Sequence, residues 1–222
     1  MLDVAKNLRE FRAELGDKVS LVAVSKVHPV AVIMEAYNAG QRIFGENRVQ
    51  ELVEKRSQLP QDIRWHFIGH LQSNKVKYIA PFIDLIHSID SIKLLEAVNT
   101  HAKYNNRIIR ILLQIHIAQE ETKSGFSYEE CRQLLIRQNG NFLSNVRICG
   151  LMGMATLTND TGQIRTEYAG LQLFFQELKK SCFSSEKDFD ILSMGMSDDY
   201  PIAIHEGSNM IRVGSKIFGQ RQ

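Results

Sequence analysis

The chain has 222 residues, 44% of them hydrophobic and 23% charged, enough apolar material for a packed core and too much for a disordered polymer. Its 27 Lys and Arg stand against 25 Asp and Glu, and a formal charge of +2 is too balanced for a nucleic-acid or membrane-surface protein. Cys131, Cys149 and Cys182 are scattered without a CxxC pair, which argues against a zinc knuckle or disulfide framework and for a cytoplasmic location.

Residues 1–16 carry charges throughout and have no apolar h-region, so they do not read as a secretory signal. No apolar run approaches the ~20 residues of a membrane-spanning helix. Val4, Leu8, Phe11 and Leu15 recur at helical spacing before Gly16, which predicts a helix over 4–15 with a glycine at its C-terminal end. Residues 20–25 form a short β-rich run. Residues 29–40 read as a helix with Pro29 near its first turn and Gly40 at its end.

The alternation continues along the chain. Strands are predicted at 42–45, 64–68, 83–89, 108–117, 146–152, 190–194 and 210–213, and helices at 49–58, 73–80, 92–104, 128–138, 166–180 and 199–205. Ser127-Tyr-Glu-Glu130 has the form of a capping box, and Asp90-Ser91 precedes a helix with Ile92, Leu95 and Val98 on one stripe. Alternating βα units imply parallel strands covered on both faces. An open doubly wound sheet and a closed barrel both fit that pattern. Eight such units favour an α/β fold of the (β/α)8 TIM-barrel type, one domain over residues 1–222 with an extra N-terminal helix.

In such a barrel, chemistry sits at the C-terminal ends of strands. Lys26 follows the first strand; its amine would emerge at the barrel mouth, where burial depresses a lysine pKa and a neutral amine can form a Schiff base. A solvent-facing or salt-bridged lysine is the alternative. Ser197 after the seventh strand and Gly214-Ser215 after the eighth supply hydroxyls and close backbone approach where barrels often bind phosphate, although such residues also serve as ordinary turns. Asp198 and Asp199 would repel a phosphate and are expected to face away. His66 and His70 are four apart, but 65–69 reads as strand, where that spacing is stretched, and no third ligand is evident, so no metal site is expected. His116 is expected as a hydrogen-bonded interior residue of the fifth strand, and Met152, Met154, Met194 and Met196 as pocket filler.

The segments Val24-Ser-Lys26, Phe44-Gly-Glu-Asn47, His66-Phe-Ile-Gly-His-Leu-Gln-Ser-Asn-Lys75, Gly150-Leu-Met-Gly-Met154, Leu192-Ser-Met-Gly-Met-Ser197 and Ile211-Arg-Val-Gly-Ser-Lys-Ile-Phe-Gly219 resemble, in collinear order, the pyridoxal-phosphate homeostasis proteins of the YggS/PROSC type. The resemblance implies an alanine-racemase-like barrel that binds pyridoxal 5′-phosphate (PLP). It implies that Lys26 carries the internal aldimine, that Ser197, Gly214 and Ser215 contact the phosphate, that Arg212 faces the pyridine nitrogen, and that Asn47 lies near the ring. The family usually has Thr where Ser215 stands, which keeps the hydroxyl, and Gly-Ser-Thr where this chain has Gly207-Ser-Asn209. An arginine partner carries a permanent charge that disfavours protonation of the ring and weakens it as an electron sink. The expected function is therefore PLP homeostasis without substantial turnover. The alternatives are a PLP-dependent amino-acid racemase and a Schiff-base aldolase. A racemase calls for a second domain or partner chain opposite Lys26, for which the residues past the last strand leave no room. Expected partners are PLP and PLP-dependent apoenzymes, not nucleic acid or membrane, with a monomer as the expected state and a dimer as the alternative.

Overall fold

The computed structural model describes residues 3–120, 124–137 and 143–219. Helix α1 (Val4–Leu15) begins at Asp3, whose side chain accepts from the Lys6 amide at 2.8 Å, and ends at Gly16 with φ +65°. It buries Val4, Leu8 and Phe11, the apolar stripe legible in its sequence. Next come β1 (Ser20–Val24), α2 (Val30–Asn38), β2 (Ile43–Glu46), α3 (Val49–Gln58) and β3 (Arg64–Phe67). A 3-10 turn at Ser73–Lys75 leads into α4 (Val76–Ile79), then β4 (Leu85–Ile89), α5 (Ile92–Tyr104), β5 (Ile109–Ile115) and α6 (Tyr128–Arg137). The chain finishes with β6 (Val146–Gly153), α7 (Thr161–Ser181), β7 (Ile191–Ser193), α8 (Tyr200–His205), β8 (Met210–Val213) and α9 (Ser215–Phe218).

The strands pair in parallel in chain order, and β8 returns to β1 through Ser20↔Met210 to Ala23↔Val213, closing the barrel. Closure excludes the open sheet. Residues facing the helices join the main apolar core, which includes Phe44, Trp65, Ile86, Ile111 and Ile211. Alternate residues turn inward. Val22, Leu85, Leu112, Ile191 and Met210 form a second apolar cluster inside the barrel. Two positions further along the same strands stand His87, Gln114, Ser193 and Arg212, all buried. The interior is thus largely apolar in one layer, where His66 stands beside Leu85, and polar in the next, nearer the C-terminal mouth.

Several boundaries differ from the sequence reading. Helix α7 starts at Thr161 rather than 166, because Asp160 caps it by accepting from the amides of Gly162 and Gln163. Strand β5 stops at Ile115, where the chain folds back: His116 donates its amide to the Phe126 carbonyl, and Phe126 donates to Gln114. His116 consequently lies beyond the strand, half-buried, with Nε2 3.0 Å from the Glu120 carbonyl. The segment expected as helix 73–80 divides into its 3-10 and α portions, and Gln138, the expected end of the sixth helix, lies outside the described residues. Ser127 and Glu130 do exchange the two reciprocal bonds of a capping box, at 2.8 and 3.1 Å. Among the described residues no helix is long and apolar enough to cross a membrane.

Candidate functional site

The C-terminal ends of the strands surround a cavity of about 650 Å³. Its walls include Lys26 after β1, Asn47 after β2, Gln114 in β5, Ser197 after β7, and Arg212, Gly214 and Ser215 at the end of β8. All six residues singled out from the sequence, Lys26, Asn47, Ser197, Arg212, Gly214 and Ser215, therefore line one cavity. Its size suits a small organic ligand.

Lys26 sits in the turn after β1, and its neighbours are clamped. Lys55 of α3 reaches under the turn, with Nζ donating to the Ser25 carbonyl at 2.7 Å, Glu46 Oε1 at 2.8 Å and Glu51 Oε1 at 2.6 Å. Ser25 Oγ donates to Glu46 at 2.6 Å, and the Val27 amide donates to Glu51 at 2.6 Å. The clamp holds Val27 at φ +64°, a left-handed conformation that strains a β-branched residue. Burial raises the Glu46 pKa, and the bonds from Lys55 and Ser25 offset this only in part. Glu51 is also pushed up by burial, but the Lys55 and Val27 bonds bring it below its ordinary value.

The opposite wall is built by the loops after β7 and β8. Gly214 donates its amide to Ser197 Oγ at 3.4 Å, a long bond between two groups that can converge on one anion. A Cβ at Gly214 would stand 3.0 Å from the Val24 carbonyl, so the backbone fills that space itself. Gly195, at φ +91°, allows the β7 loop its turn; a Cβ there would come 2.7 Å from Ala203 Cβ. The acidic pair after Ser197 divides, contrary to expectation. Asp199 is buried, accepting from the Met196 amide at 2.6 Å and the Tyr168 hydroxyl at 2.7 Å, whereas Asp198 is exposed and lines the cavity. A carboxylate thus stands on the cavity wall beside the proposed anion site.

Arg212 forms part of the cavity floor. Its guanidinium donates to Ser193 Oγ at 2.6 Å and to the Gly153 carbonyl at 3.1 Å. Burial lowers its pKa from the ordinary value, opposed by Tyr168 and Asp199, yet an arginine remains charged. Asn47 packs against Gly69 so closely that a Cβ at Gly69 would lie 2.3 Å from the Asn47 carbonyl oxygen. Met154 and Met196 line the cavity, and Met152 and Met194 are buried. His66 points into the barrel, whereas His70, exposed on the loop after β3, approaches Asp90 at 3.2 Å. Sequence reasoning places Glu46 and Ser193 at strand ends without giving them a role, and it missed Lys55, His87 and Gln114. Glu51 and Lys55 do stand four apart on a helix, a legible ion-pair spacing, and period-two alternation in β4 places His87 on the same face as Leu85.

The family model described as alanine racemase, N-terminal domain, matches residues 3–222. The pyridoxal phosphate homeostasis protein of Schizosaccharomyces pombe is 41% identical over 213 residues, 93% of this chain and 86% of its own length. That of Synechocystis sp. is 40% identical over 218 residues, 96% of each chain. The structure of PipY from Synechococcus elongatus PCC7942 with PLP bound matches with a TM-score of 0.88 at 39% identity, covering 97% of this chain and 100% of that one. Alanine racemase of Clostridium difficile 630 shares the fold, with a TM-score of 0.76 at 16% identity; this chain spans 56% of it.

Proposed function

The chain belongs to the family of the alanine racemase N-terminal domain, and we propose that its cavity binds PLP and that the protein serves PLP homeostasis. The observation that carries this reading is the convergence of Lys26, Asn47, Ser197, Arg212, Gly214 and Ser215 on one cavity. The relatives named pyridoxal phosphate homeostasis proteins, and PipY with its bound PLP, support it.

The residues present fit the cofactor. Lys26 offers a primary amine at one wall, while the Ser197 hydroxyl and the Gly214-Ser215 backbone and hydroxyl offer phosphate donors at another. When bound, PLP supplies an aldehyde that a primary amine captures reversibly and a pyridine ring that accepts electron density. Arg212, held by Ser193 and the Gly153 carbonyl, would offer a permanent cation to the ring nitrogen of a bound PLP and so disfavour its protonation. The clamp of Lys55 on the Ser25 carbonyl and Glu51 on the Val27 amide keeps Lys26 directed into the cavity. Asn47, backed by Gly69 on the same cavity wall, would flank the ring of a bound PLP. The free thiols Cys131, Cys149 and Cys182 support a reducing, cytoplasmic compartment.

The weak electron sink favours holding and handing on the cofactor over turnover. Incubating PLP-loaded protein with L-alanine in deuterated buffer tests this. The carrier reading expects at most slow α-proton exchange. Rapid deuterium incorporation with formation of the D-enantiomer, at ~1–10³ per second as for ordinary enzymes, would promote the racemase reading instead.

A further inference from the structure

A string of polar side chains runs through the barrel below the cavity. Arg212 Nη1 lies 2.6 Å from Ser193 Oγ, which lies 3.0 Å from His87 Nδ1. His87 Nε2 lies 2.9 Å from His66 Nδ1, and His66 Nε2 lies 3.2 Å from Asp84 Oδ2. Arg212, Ser193, His87 and His66 are buried. Asp84, with a side-chain exposure of 28%, opens on a recess at the N-terminal face lined also by Lys18, Arg64 and Arg110. The string thus connects the cavity floor to the opposite end of the barrel.

Donor and acceptor chemistry sets its direction. Arginine has only donors, so Ser193 Oγ accepts from Arg212. An ionised carboxylate only accepts, so His66 Nε2 carries a proton toward Asp84. In a neutral imidazole the other nitrogen is then an acceptor, and His66 Nδ1 receives the proton of His87 Nε2. That leaves His87 Nδ1 as an acceptor for the Ser193 hydroxyl proton. Every hydrogen points from Arg212 toward Asp84, and no donor meets a donor. The reverse order would turn a lone pair of His66 toward the carboxylate or require a charged imidazolium. Burial disfavours that charge on both histidines; Arg64 and Arg110 oppose it at His66 while Asp84 favours it, and His66, Arg212 and Arg110 oppose it at His87.

We propose that this is a one-directional positioning relay: His87 and His66 lock Ser193 as the acceptor for Arg212 and couple Asp84 at the far face to the cation that meets the cofactor ring. The coupling rests on the PLP reading, but the proton order does not. Links in series have a distinctive signature, because one break releases the string and a second break adds nothing. Distant independent sites would instead give additive effects.

Two measurements test the relay. The first needs no cofactor: ¹⁵N NMR of the imidazoles in PLP-free protein is expected to find both histidines neutral and protonated at Nε2 near neutral pH. A proton on His87 Nδ1 overturns the relay. The second follows PLP affinity and the pH dependence of the visible band of the loaded protein in Ser193→Ala, Asp84→Ala and the double variant. Asp84→Ala is expected to weaken PLP binding about threefold to tenfold, with the double variant no weaker than Ser193→Ala alone. His87→Asn, whose side-chain oxygen stands near the position of Nδ1, is expected to perturb the band less than His87→Leu. Additive effects, or an Asp84→Ala protein identical to the parent in affinity and band, would refute the coupling. Failure of the parent protein to bind PLP would defeat the function reading and leave the NMR result to decide the relay.

Discussion

The clamp behind Lys26 makes Lys55→Met the most informative single change. Lys55 and Glu46 have side-chain exposures of 7% and 0%, so their ion pair is fully enclosed, while Glu51, at 21%, keeps contact with water. Glu46 Oε2 makes no hydrogen bond among the described residues. Removing the ammonium leaves a buried carboxylate supported, among the described residues, only by the Ser25 hydroxyl. Breaking a buried pair in this way costs about 3–5 kcal/mol, and for a chain of this length each kcal/mol moves Tm by ~2–4 °C. The expected fall in Tm at neutral pH is therefore ~6–20 °C. Its pH dependence has a definite sign. Burial already raises the Glu46 pKa in the folded protein, and loss of Lys55 raises it further. With the folded pKa above the unfolded one, stability is lost as pH rises through it. The deficit of Lys55→Met is thus largest near neutrality and shrinks as Glu46 takes up a proton in mild acid. Adding Glu46→Gln should recover much of the loss. Thermal unfolding across pH checks all three statements. A Tm unchanged at neutral pH, or a deficit that grows on acidification, would refute this account of the clamp.

Ser197→Ala removes a proposed phosphate donor of the charge-assisted kind, about 1.5–3 kcal/mol, and should weaken PLP binding by about one to two decades in an equilibrium titration; unchanged affinity in both Ser197→Ala and Ser215→Ala would eliminate the β7–β8 loops as the phosphate site. Gly69→Ala forces a methyl toward the Asn47 carbonyl and should destabilise the fold by ~1–3 kcal/mol in chemical denaturation while also reducing PLP affinity, because the displaced backbone is part of the cavity.

The barrel was legible because its evidence is local and repeated. Strands such as Ser20–Val24 and Ile109–Ile115 are short, largely apolar runs, and helices show apolar stripes such as Val4, Leu8 and Phe11 in α1 or Leu94, Leu95 and Val98 in α5. The start of α7 was obscured because Thr161-Gly-Gln carries no apolar periodicity, although Asp160 is an ordinary capping residue. Lys26, Ser197, Gly214 and Ser215 were legible through the rule that places chemistry at strand ends, whereas Asn47 and Arg212 were singled out by the family resemblance. What lies beneath them was not. His66, His87 and Ser193 come from three strands, and only barrel closure brings them into line. Glu51 and Lys55 announce a surface ion pair by their spacing, and nothing local says that Glu46 and the Ser25 carbonyl will enclose the ammonium. Asp199 likewise reads as an acid at the start of a helix, and nothing local says that the Tyr168 hydroxyl will lie 2.7 Å from it.

The most direct test of the central claim is an absorbance spectrum of the PLP-loaded protein followed by borohydride reduction and peptide mass mapping. The account predicts a visible band that reduction abolishes, one covalent pyridoxyl adduct on the peptide containing Lys26, and loss of both in Lys26→Ala. An adduct on Lys75, or on Lys123, which lies outside the described residues, with none on Lys26, would contradict it.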